Sequence, residues 1–164
     1  MKKALIVIDA QNDYLSDGKF PLWNMDSTLA AIKERILYYK NQGWPVIFVK
    51  HLSGSSAAFF EDGSHGAEII PVLLDMVDFP IIIEKRHGNA FDETMLDQKL
   101  QDEECGEIEL CGMMTQNCVL FTAVSQEAKK YKVAVLKDAC TSISPVIHAV
   151  AIRGLSRIKT LAVI

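Results

Sequence analysis

The chain lacks both a long hydrophobic run and a concentration of positive charge. None of its apolar stretches approaches the ~20 residues that a membrane-spanning helix needs. The formal net charge is -4, and no basic stripe is present that would neutralise nucleic-acid phosphates. We therefore expect no membrane association and no nucleic-acid partner.

The sequence also lacks the cysteine spacings that mark metal and redox sites. Its four cysteines are Cys105, Cys111, Cys118 and Cys140, and no two of them form a Cys-x-x-Cys pair. The apolar segment near the N-terminus is interrupted by Asp9, which makes it too short for a signal peptide. We therefore expect reduced thiols in the cytoplasm rather than a disulfide framework.

A glycine motif is missing as well. No Gly-x-Gly-x-x-Gly follows the first predicted strand, which argues against a dinucleotide-binding protein. No repeat, linker or low-complexity segment interrupts the 164 residues, so we expect one domain over 1–164. The composition that remains, with 49% hydrophobic and 23% charged residues, is typical of a globular protein with a sizeable core.

Short apolar runs alternate with amphipathic segments along the whole chain. The runs resemble the buried strands of a parallel sheet, which are apolar on both faces. We predict strands at 3–9, 45–50, 79–85, 107–112, 132–137 and 160–164. Helices are predicted over about 27–42, after 92, from 118 to about 131, and from 145 onward. This alternation predicts an α/β fold, a three-layer sandwich with a six-stranded, mostly parallel sheet.

Capping residues suggest where the predicted helices begin and end. Asp26 and Asp92 are predicted N-caps, and Gly43 is predicted to end the first long helix. Pro145 occupies the first position of the last helix, where its missing N–H costs little. Val150 is predicted to face inward on that helix.

Three reactive side chains fall at or just after predicted strand ends. Asp9 ends the first strand, Lys85 ends the third, and Cys118 follows the fourth. Each has an ordinary structural explanation when it is considered alone. Because parallel strands bring their carboxyl ends to one edge of the sheet, where ligands bind in such folds, we expect the three to converge.

These three groups form a coherent hydrolytic set. At the start of a helix the backbone N–H groups and the dipole favour the thiolate of Cys118 and can also stabilise an oxyanion. A neighbouring carboxylate can act as general base, and an ammonium group lowers the pKa of a thiol. Attack on an amide carbonyl would give a thioester that water hydrolyses. The residues therefore favour a hydrolase of carbon–nitrogen bonds.

Three segments resemble the signatures of the isochorismatase-like cysteine hydrolase superfamily, which includes nicotinamidase-related amidohydrolases. They are Asp9-Ala-Gln-Asn-Asp-Tyr14, Lys85-Arg-His-Gly-Asn-Ala-Phe91 and Gly112-Met-Met-Thr-Gln-Asn-Cys-Val119. The resemblance covers nearly the whole chain and implies a Rossmann-like fold with an Asp9–Lys85–Cys118 triad. It also implies a cis peptide between Met113 and Met114, oxyanion donors at the N–H groups of Met114 and Cys118, and a homodimer or homotetramer.

The same resemblance bears on metal and substrate. Nicotinamidases carry an Asp-x-His cluster just after the second strand, whereas this chain has a lone His51 there, so we predict no metal and no cofactor. The substrate class that it implies is a small amide or ureido compound. Candidate substrate contacts are Gln11, Trp23, His51, Asn89, Phe91, Gln116 and Asn117. Several of these are explained equally well by packing.

Two other functions are compatible with this fold. One is a catalytically silent protein that binds a ligand or acts as a scaffold. The other is a redox-active protein that uses the Cys118 thiol without hydrolysis. Asp9 and Lys85 count against both alternatives, because neither needs a carboxylate base beside the thiol.

Overall fold

The computed structural model describes residues 2–164 and contains six strands that alternate with helices. The strands are β1 (Lys2–Ile8), β2 (Val46–His51), β3 (Ile81–Lys85), β4 (Cys105–Met113), β5 (Lys132–Thr141) and β6 (Leu161–Val163). The α-helices are α1 (Met25–Gln42), α2 (Pro71–Leu74), α3 (Leu96–Asp102), α4 (Leu120–Val124) and α5 (Pro145–Leu155). Single 3-10 turns cover Asn12–Tyr14, His65–Ala67 and Glu127–Lys130, and a π-helical turn covers Thr115–Val119.

All six strands are parallel and form one sheet in the order β3-β2-β1-β4-β5-β6. The predicted α/β class is confirmed, and the sheet is wholly rather than mostly parallel. The chain builds outward from β1 to β3 and then returns to place β4 on the other side of β1. The carboxyl ends of β1 and β4 are therefore the point where the strand order reverses, and this is where ligands bind in open α/β sheets.

The hydrophobic core lies in two layers, one on each face of the sheet. Successive side chains of a strand point to opposite faces. Ile6 and Ile8 of β1 accordingly belong to the layer that includes Leu155 of α5, whereas Leu5 and Val7 belong to the layer that includes Ile36 of α1. The central strand is thus covered on both sides, as its uniformly apolar sequence indicates.

The predicted helix caps are only partly correct. Gly43 ends α1 in the left-handed conformation, with φ 65°, as predicted. Asp26 lies inside the first turn of α1, because the chain enters the helix through Asn24, which is itself left-handed. Asp92 does not cap α3 either. Its carboxylate accepts a hydrogen bond from the Asn89 side chain.

The segment after Cys118 is not the long helix predicted to reach about residue 131. The π-helical turn leads into only five residues of α4, and the backbone becomes extended at Ser125, directly after the helix. The Ser125 hydroxyl accepts a hydrogen bond from the Ala128 N–H and so begins a separate 3-10 turn. The serine thereby offers the backbone a local partner that competes with continuation of the helix.

The last helix starts as predicted, but it buries a different face from the one predicted. Ser144 caps it by accepting a hydrogen bond from the Ile147 N–H, and Pro145 follows at the first helical position. The residues that α5 buries are Ala151 and Leu155, which leaves Val150 68% exposed. Among residues 2–164, no helix combines the length and the apolar character that crossing a membrane requires.

Gly112 is expected to be indispensable to the sheet. It has a φ of 112°, and a Cβ at this position would lie 2.0 Å from the Ile8 carbonyl oxygen. We predict that Gly112→Ala lowers the free energy of unfolding by at least about 2 kcal/mol, because both the backbone conformation and the neighbouring strand resist it. Urea denaturation measures the change.

Gly154 provides the matched control for this substitution. It lies in α5, and a Cβ there would meet nothing within 4 Å. Gly154→Ala should raise the free energy of unfolding by about 0.5–1 kcal/mol, since alanine loses less backbone entropy in a helix. Equal effects of the two substitutions would contradict the role of Gly112.

Candidate active site

Four neighbouring strands each bring one polar side chain to the carboxyl edge of the sheet. Asp9 follows β1, His51 ends β2, Lys85 ends β3, and Cys118 lies in the π-helical turn after β4. In the sheet the order of these strands is β3-β2-β1-β4. Lys85 and His51 are direct cross-strand neighbours in the β2–β3 register. The site is therefore formed by residues that are far apart in the sequence but lie on neighbouring strands of the sheet.

The Lys85 ammonium lies in the middle of this group. Its Nζ is 2.9 Å from Asp9 Oδ2, 2.7 Å from His51 Nδ1, 3.3 Å from Cys118 Sγ and 3.1 Å from the His87 carbonyl oxygen. The Lys85 and Asp9 side chains are only 0% and 1% exposed, so the ion pair is fully buried. In such surroundings each ammonium proton needs an acceptor, because an unpartnered buried charge is very costly.

Asp9 is held in an uncommon backbone conformation. Its φ is 51°, in the left-handed region that Asp and Asn tolerate better than most residues. The Asp9 N–H donates to the Val49 carbonyl of β2, and the Gln11 N–H donates back to the Asp9 carbonyl. One carboxylate oxygen pairs with Lys85, while the other, Oδ1, is buried without a hydrogen-bond partner among residues 2–164. This leaves an acceptor free for a proton inside the site.

The Gln11 side chain binds the backbone at the end of β2, and its predicted contact with substrate stays a prediction. Its amide oxygen accepts a hydrogen bond from the His51 N–H at 2.8 Å, and its amide nitrogen donates to the His51 carbonyl at 2.8 Å. The same nitrogen donates to the Ala67 carbonyl at 2.7 Å. Gln11 is completely buried. It thereby positions the strand end that carries the His51 imidazole.

The turn that carries Cys118 is anchored to the second half of the sheet. The peptide between Met113 and Met114 is cis. Thr115 Oγ1 donates to the Thr141 carbonyl at 2.9 Å and lies 2.9 Å from Nδ1 of His148 on α5. π-helical turns are rare and occur frequently at functional sites.

The electrostatics differ from the sequence-based expectation of a thiolate. Burial, which has the largest effect, and the nearby negative charge of Asp9 together raise the pKa of the Cys118 thiol to about 12, against the opposing effect of Lys85. Cys118 is only 5% exposed, so water cannot solvate its anion. Cys118 is therefore a protonated thiol at neutral pH. The prediction that the turn alone would favour the thiolate was wrong, because it took no account of burial and of Asp9.

The remaining candidate residues have partners of their own. Asn89 donates to Asp92 and accepts from the Phe91 N–H, and the Phe91 ring is buried and stacks on Tyr131. The Gln116 amide oxygen accepts a hydrogen bond from the Ser142 hydroxyl. These contacts supply packing or turn-supporting roles, and substrate contacts by these residues remain predictions.

Two further candidates are more accessible. Trp23 is 39% exposed, and its ring lies 5.9 Å from the His148 ring. Asn117 is half-buried in the π-helical turn, next to Gly88. A cleft of about 180 Å³ opens beside the Lys85 end of the site. It is lined by Leu52, Glu84, Lys85, Arg86, His87 and Glu93. Trp23 and Asn117 also remain predictions as substrate contacts.

One set of side chains in the described part of the chain has the composition of a metal site. Ligand atoms of Asp9, His51 and Cys118 all lie within 4.8 Å of one another. The Lys85 ammonium, however, lies within 3.3 Å of an atom of each of them. A fixed positive charge thus occupies the position that a cation would need. The residues present do not fit a metal ion while Lys85 is protonated, and we assign none of them as a ligand.

A buried thiol thus lies beside a carboxylate and an ammonium group at the strand-reversal point of a parallel α/β sheet, where ligands bind in such folds. The family model described as the isochorismatase domain matches residues 3–163 of this chain. The chain therefore belongs to the isochorismatase family.

Individual relatives agree with this membership. The chain is 35% identical over 143 residues to the uncharacterized isochorismatase family protein YddQ of Bacillus subtilis, covering 87% of this chain and 79% of the relative. It is 25% identical over 180 residues to the nicotinamidase of Escherichia coli, covering 87% and 84%. The crystal structure of nicotinamidase PncA from Bacillus subtilis superposes with a TM-score of 0.85 at 25% identity, covering 96% of each chain.

The contact between His51 and Lys85 is the part of the site that sequence reasoning missed. His51 Nδ1 lies against Lys85 Nζ, and the predicted contact of His51 with substrate stays a prediction. The rule that strand ends meet at one edge applies to β2 as well as to the other strands. It did not identify this pair, because the order of the strands in the sheet was unknown.

The reactivity of Cys118 should respond in opposite directions to its two charged neighbours. Asp9→Asn keeps the side-chain shape, suits the left-handed backbone and removes the negative charge that raises the thiol pKa. We expect it to speed alkylation of Cys118 by iodoacetamide at pH 7. Lys85→Met removes the cation and should slow it. Peptide mass spectrometry follows each thiol separately, and a change of the same sign in both variants would contradict this electrostatic account.

Proposed function

We propose that the protein is a metal-independent cysteine hydrolase that cleaves a carbon–nitrogen bond of a small amide or ureido compound. Asp9, Lys85 and Cys118 form the catalytic triad in this proposal. The observation that carries it is that Asp9 and Cys118 both contact the Lys85 ammonium, with Oδ2 and Sγ within 3.3 Å of Nζ. Neither a scaffold nor a redox protein requires this combination.

The first half of the proposed reaction acylates the sulfur. Asp9 accepts the proton of the Cys118 thiol as the sulfur electron pair attacks the carbonyl carbon. The carbonyl electron pair moves onto oxygen to form a tetrahedral oxyanion. When the carbonyl re-forms, the carbon–nitrogen bond breaks, and the nitrogen takes the proton from Asp9 and departs as an amine or ammonia. A thioester on Cys118 remains.

The second half releases the acid. Asp9 takes a proton from a water molecule as the water oxygen attacks the thioester carbon. Collapse of this second tetrahedral intermediate expels the sulfur, which recovers the proton from Asp9. The net change consumes one water molecule and yields a carboxylic or carbamic acid together with the amine.

Lys85 has two tasks in this sequence. It neutralises the buried Asp9 carboxylate in the resting state, and it stabilises the sulfur when negative charge develops there. Because the resting thiol has a raised pKa, general-base removal of its proton by Asp9 is an essential part of the attack. A charge that forms only during the reaction is stabilised more in the transition state than in the ground state, which is what accelerates the chemistry.

The proposed oxyanion donors are the N–H groups of Met114 and Cys118. The Met114 N–H belongs to the cis peptide itself, at the junction between β4 and the π-helical turn that carries Cys118. A donor that is fixed in the protein can stabilise a developing oxyanion without first reorganising.

A small substrate fits the observed enclosure. Cys118 is 5% exposed, so the reacting carbonyl has to reach the sulfur through a narrow opening. Similarity to nicotinamidases of Escherichia coli and Bacillus subtilis supports a primary amide as the first compound class to test.

The triad is tested by measuring ammonia release from a panel of small amides and ureides, nicotinamide among them. Cys118→Ala should abolish turnover of any substrate found, because no other group can form the thioester. Cys105→Ala is the matched control, since Cys105 begins β4, at the opposite end from the site. Trapping a substrate-derived mass on the Cys118 peptide supports the thioester. Turnover by Cys118→Ala near that of the unchanged protein would overturn the mechanism, and binding without turnover by the unchanged protein would favour the ligand-binding alternative.

Metal independence gives a separate prediction. Because the Lys85 ammonium holds the position between Asp9, His51 and Cys118, removal of metal ions should leave the hydrolysis rate unchanged. The measurement compares initial rates before and after dialysis against a strong chelator. Activity that is lost on chelation and restored by added zinc would refute this part of the proposal.

A further inference from the structure

His51 makes the shortest contact to the Lys85 ammonium. Its Nδ1 is 2.7 Å from Nζ, against 2.9 Å for Asp9 Oδ2 and 3.1 Å for the His87 carbonyl. The two residues are cross-strand neighbours on β2 and β3, so their side chains extend from the same edge of the sheet. The contact is therefore built into the register of the strands.

The Lys85 ammonium has fewer protons than there are acceptor atoms around it. An ammonium group donates three protons, whereas four acceptor atoms surround Nζ. A carboxylate, an imidazole nitrogen and a backbone carbonyl are good acceptors, and a thiol sulfur is a weak one. The sulfur also makes the longest of the four contacts, at 3.3 Å. It is accordingly the weakest of the four competitors for the three protons of Lys85.

This assignment requires a particular state of the imidazole. Nδ1 can accept from Lys85 only if His51 is neutral, with its proton on Nε2. Burial and the positive charge of Lys85 both lower the pKa of His51, which favours the neutral ring. The other charged or titratable groups near His51 are Asp9, Arg86, His87 and the Cys118 thiol.

We propose that His51 is a positioning residue that accepts the third Lys85 proton and thereby withholds it from the Cys118 sulfur in the resting site. The thiol then keeps its own proton until a substrate is in place and Asp9 removes it. As negative charge grows on sulfur, the thiolate becomes the better acceptor, and the Lys85 proton turns from His51 to Cys118. The inference deepens the proposed function and rests on it for this last step, but the placement of protons can be tested without a substrate.

The His51 side chain can be replaced without removing the hydrogen bonds of the His51 backbone. Gln11 holds both the N–H and the carbonyl of His51, independently of the imidazole. His51→Leu removes the acceptor. His51→Asn keeps one, since its amide oxygen reaches about the position of Nδ1. His87→Leu is the matched control, because it removes a nearby, half-exposed imidazole but leaves the His87 carbonyl that accepts from Lys85.

The experiment measures iodoacetamide alkylation of Cys118 as a function of pH in the four proteins, resolved by peptide mass spectrometry. In His51→Leu the freed Lys85 proton should turn to sulfur, which speeds alkylation at pH 7 by about tenfold and lowers the alkylation midpoint by about one pH unit. His51→Asn should stay within about twofold of the unchanged protein, because it retains an acceptor. His87→Leu should behave like the unchanged protein.

Two results would overturn the inference. One is an unchanged or slower alkylation in His51→Leu, and the other is identical behaviour of His51→Leu and His51→Asn. Because His51→Leu places an apolar group against a buried cation and could fail to fold, a second measurement uses the unchanged protein. Long-range proton–nitrogen NMR of the labelled imidazole should show the proton of His51 on Nε2. A proton on Nδ1 at pH 7 excludes the contact as assigned.

These measurements also separate this inference from the proposed function. If the alkylation order and the tautomer are as expected but no amide is hydrolysed, the placement of protons stands and the hydrolase proposal fails. If hydrolysis depends on Cys118 but His51→Leu leaves alkylation unchanged, the triad stands and the positioning role of His51 fails.

Discussion

The site depends on the contacts between one buried ammonium group, that of Lys85, and its four acceptors. Removing an ion from water costs several kcal/mol, and the cost is offset only when every proton of the ion has an acceptor. Asp9, His51, the His87 carbonyl and Cys118 surround Nζ at 2.7–3.3 Å, and they come from or just after four adjacent strands. The distances around Nζ therefore depend on the register of those four strands.

The same burial determines the protonation state of the Cys118 thiol. With little water at the sulfur and a carboxylate beside it, the thiol keeps its proton at neutral pH. The Asp9 carboxylate also retains an unpartnered oxygen, Oδ1, among the described residues. A protected thiol next to a free carboxylate acceptor suits general-base activation during the reaction, rather than a thiolate that exists beforehand. An enclosed thiol of this kind is also less exposed to unwanted alkylation and oxidation.

The limits of prediction from sequence are clear in particular elements. The predicted strand ends lie within a few residues of the observed ones, because each strand contains a short run of apolar residues. Gly43 was recognised as a helix end because a left-handed residue is needed there. Asp26, Asp92 and the helix after Cys118 were misjudged, since competing local partners at Asn24, Asn89 and Ser125 decide those boundaries. Hydrogen bonds of this kind leave little trace in hydrophobic periodicity.

By itself, the sequence determined that the chain forms a parallel α/β sheet and that Asp9, Lys85 and Cys118 reach one edge of it. Both follow from local patterns, namely apolar runs and the residues at their ends. Only the tertiary structure decided which strands are neighbours, and hence that His51 lies against Lys85 and that Gln11 holds β2 in place. It also decided the protonation of Cys118, because desolvation and the distance to a charge are properties of the folded chain and are not properties of any segment.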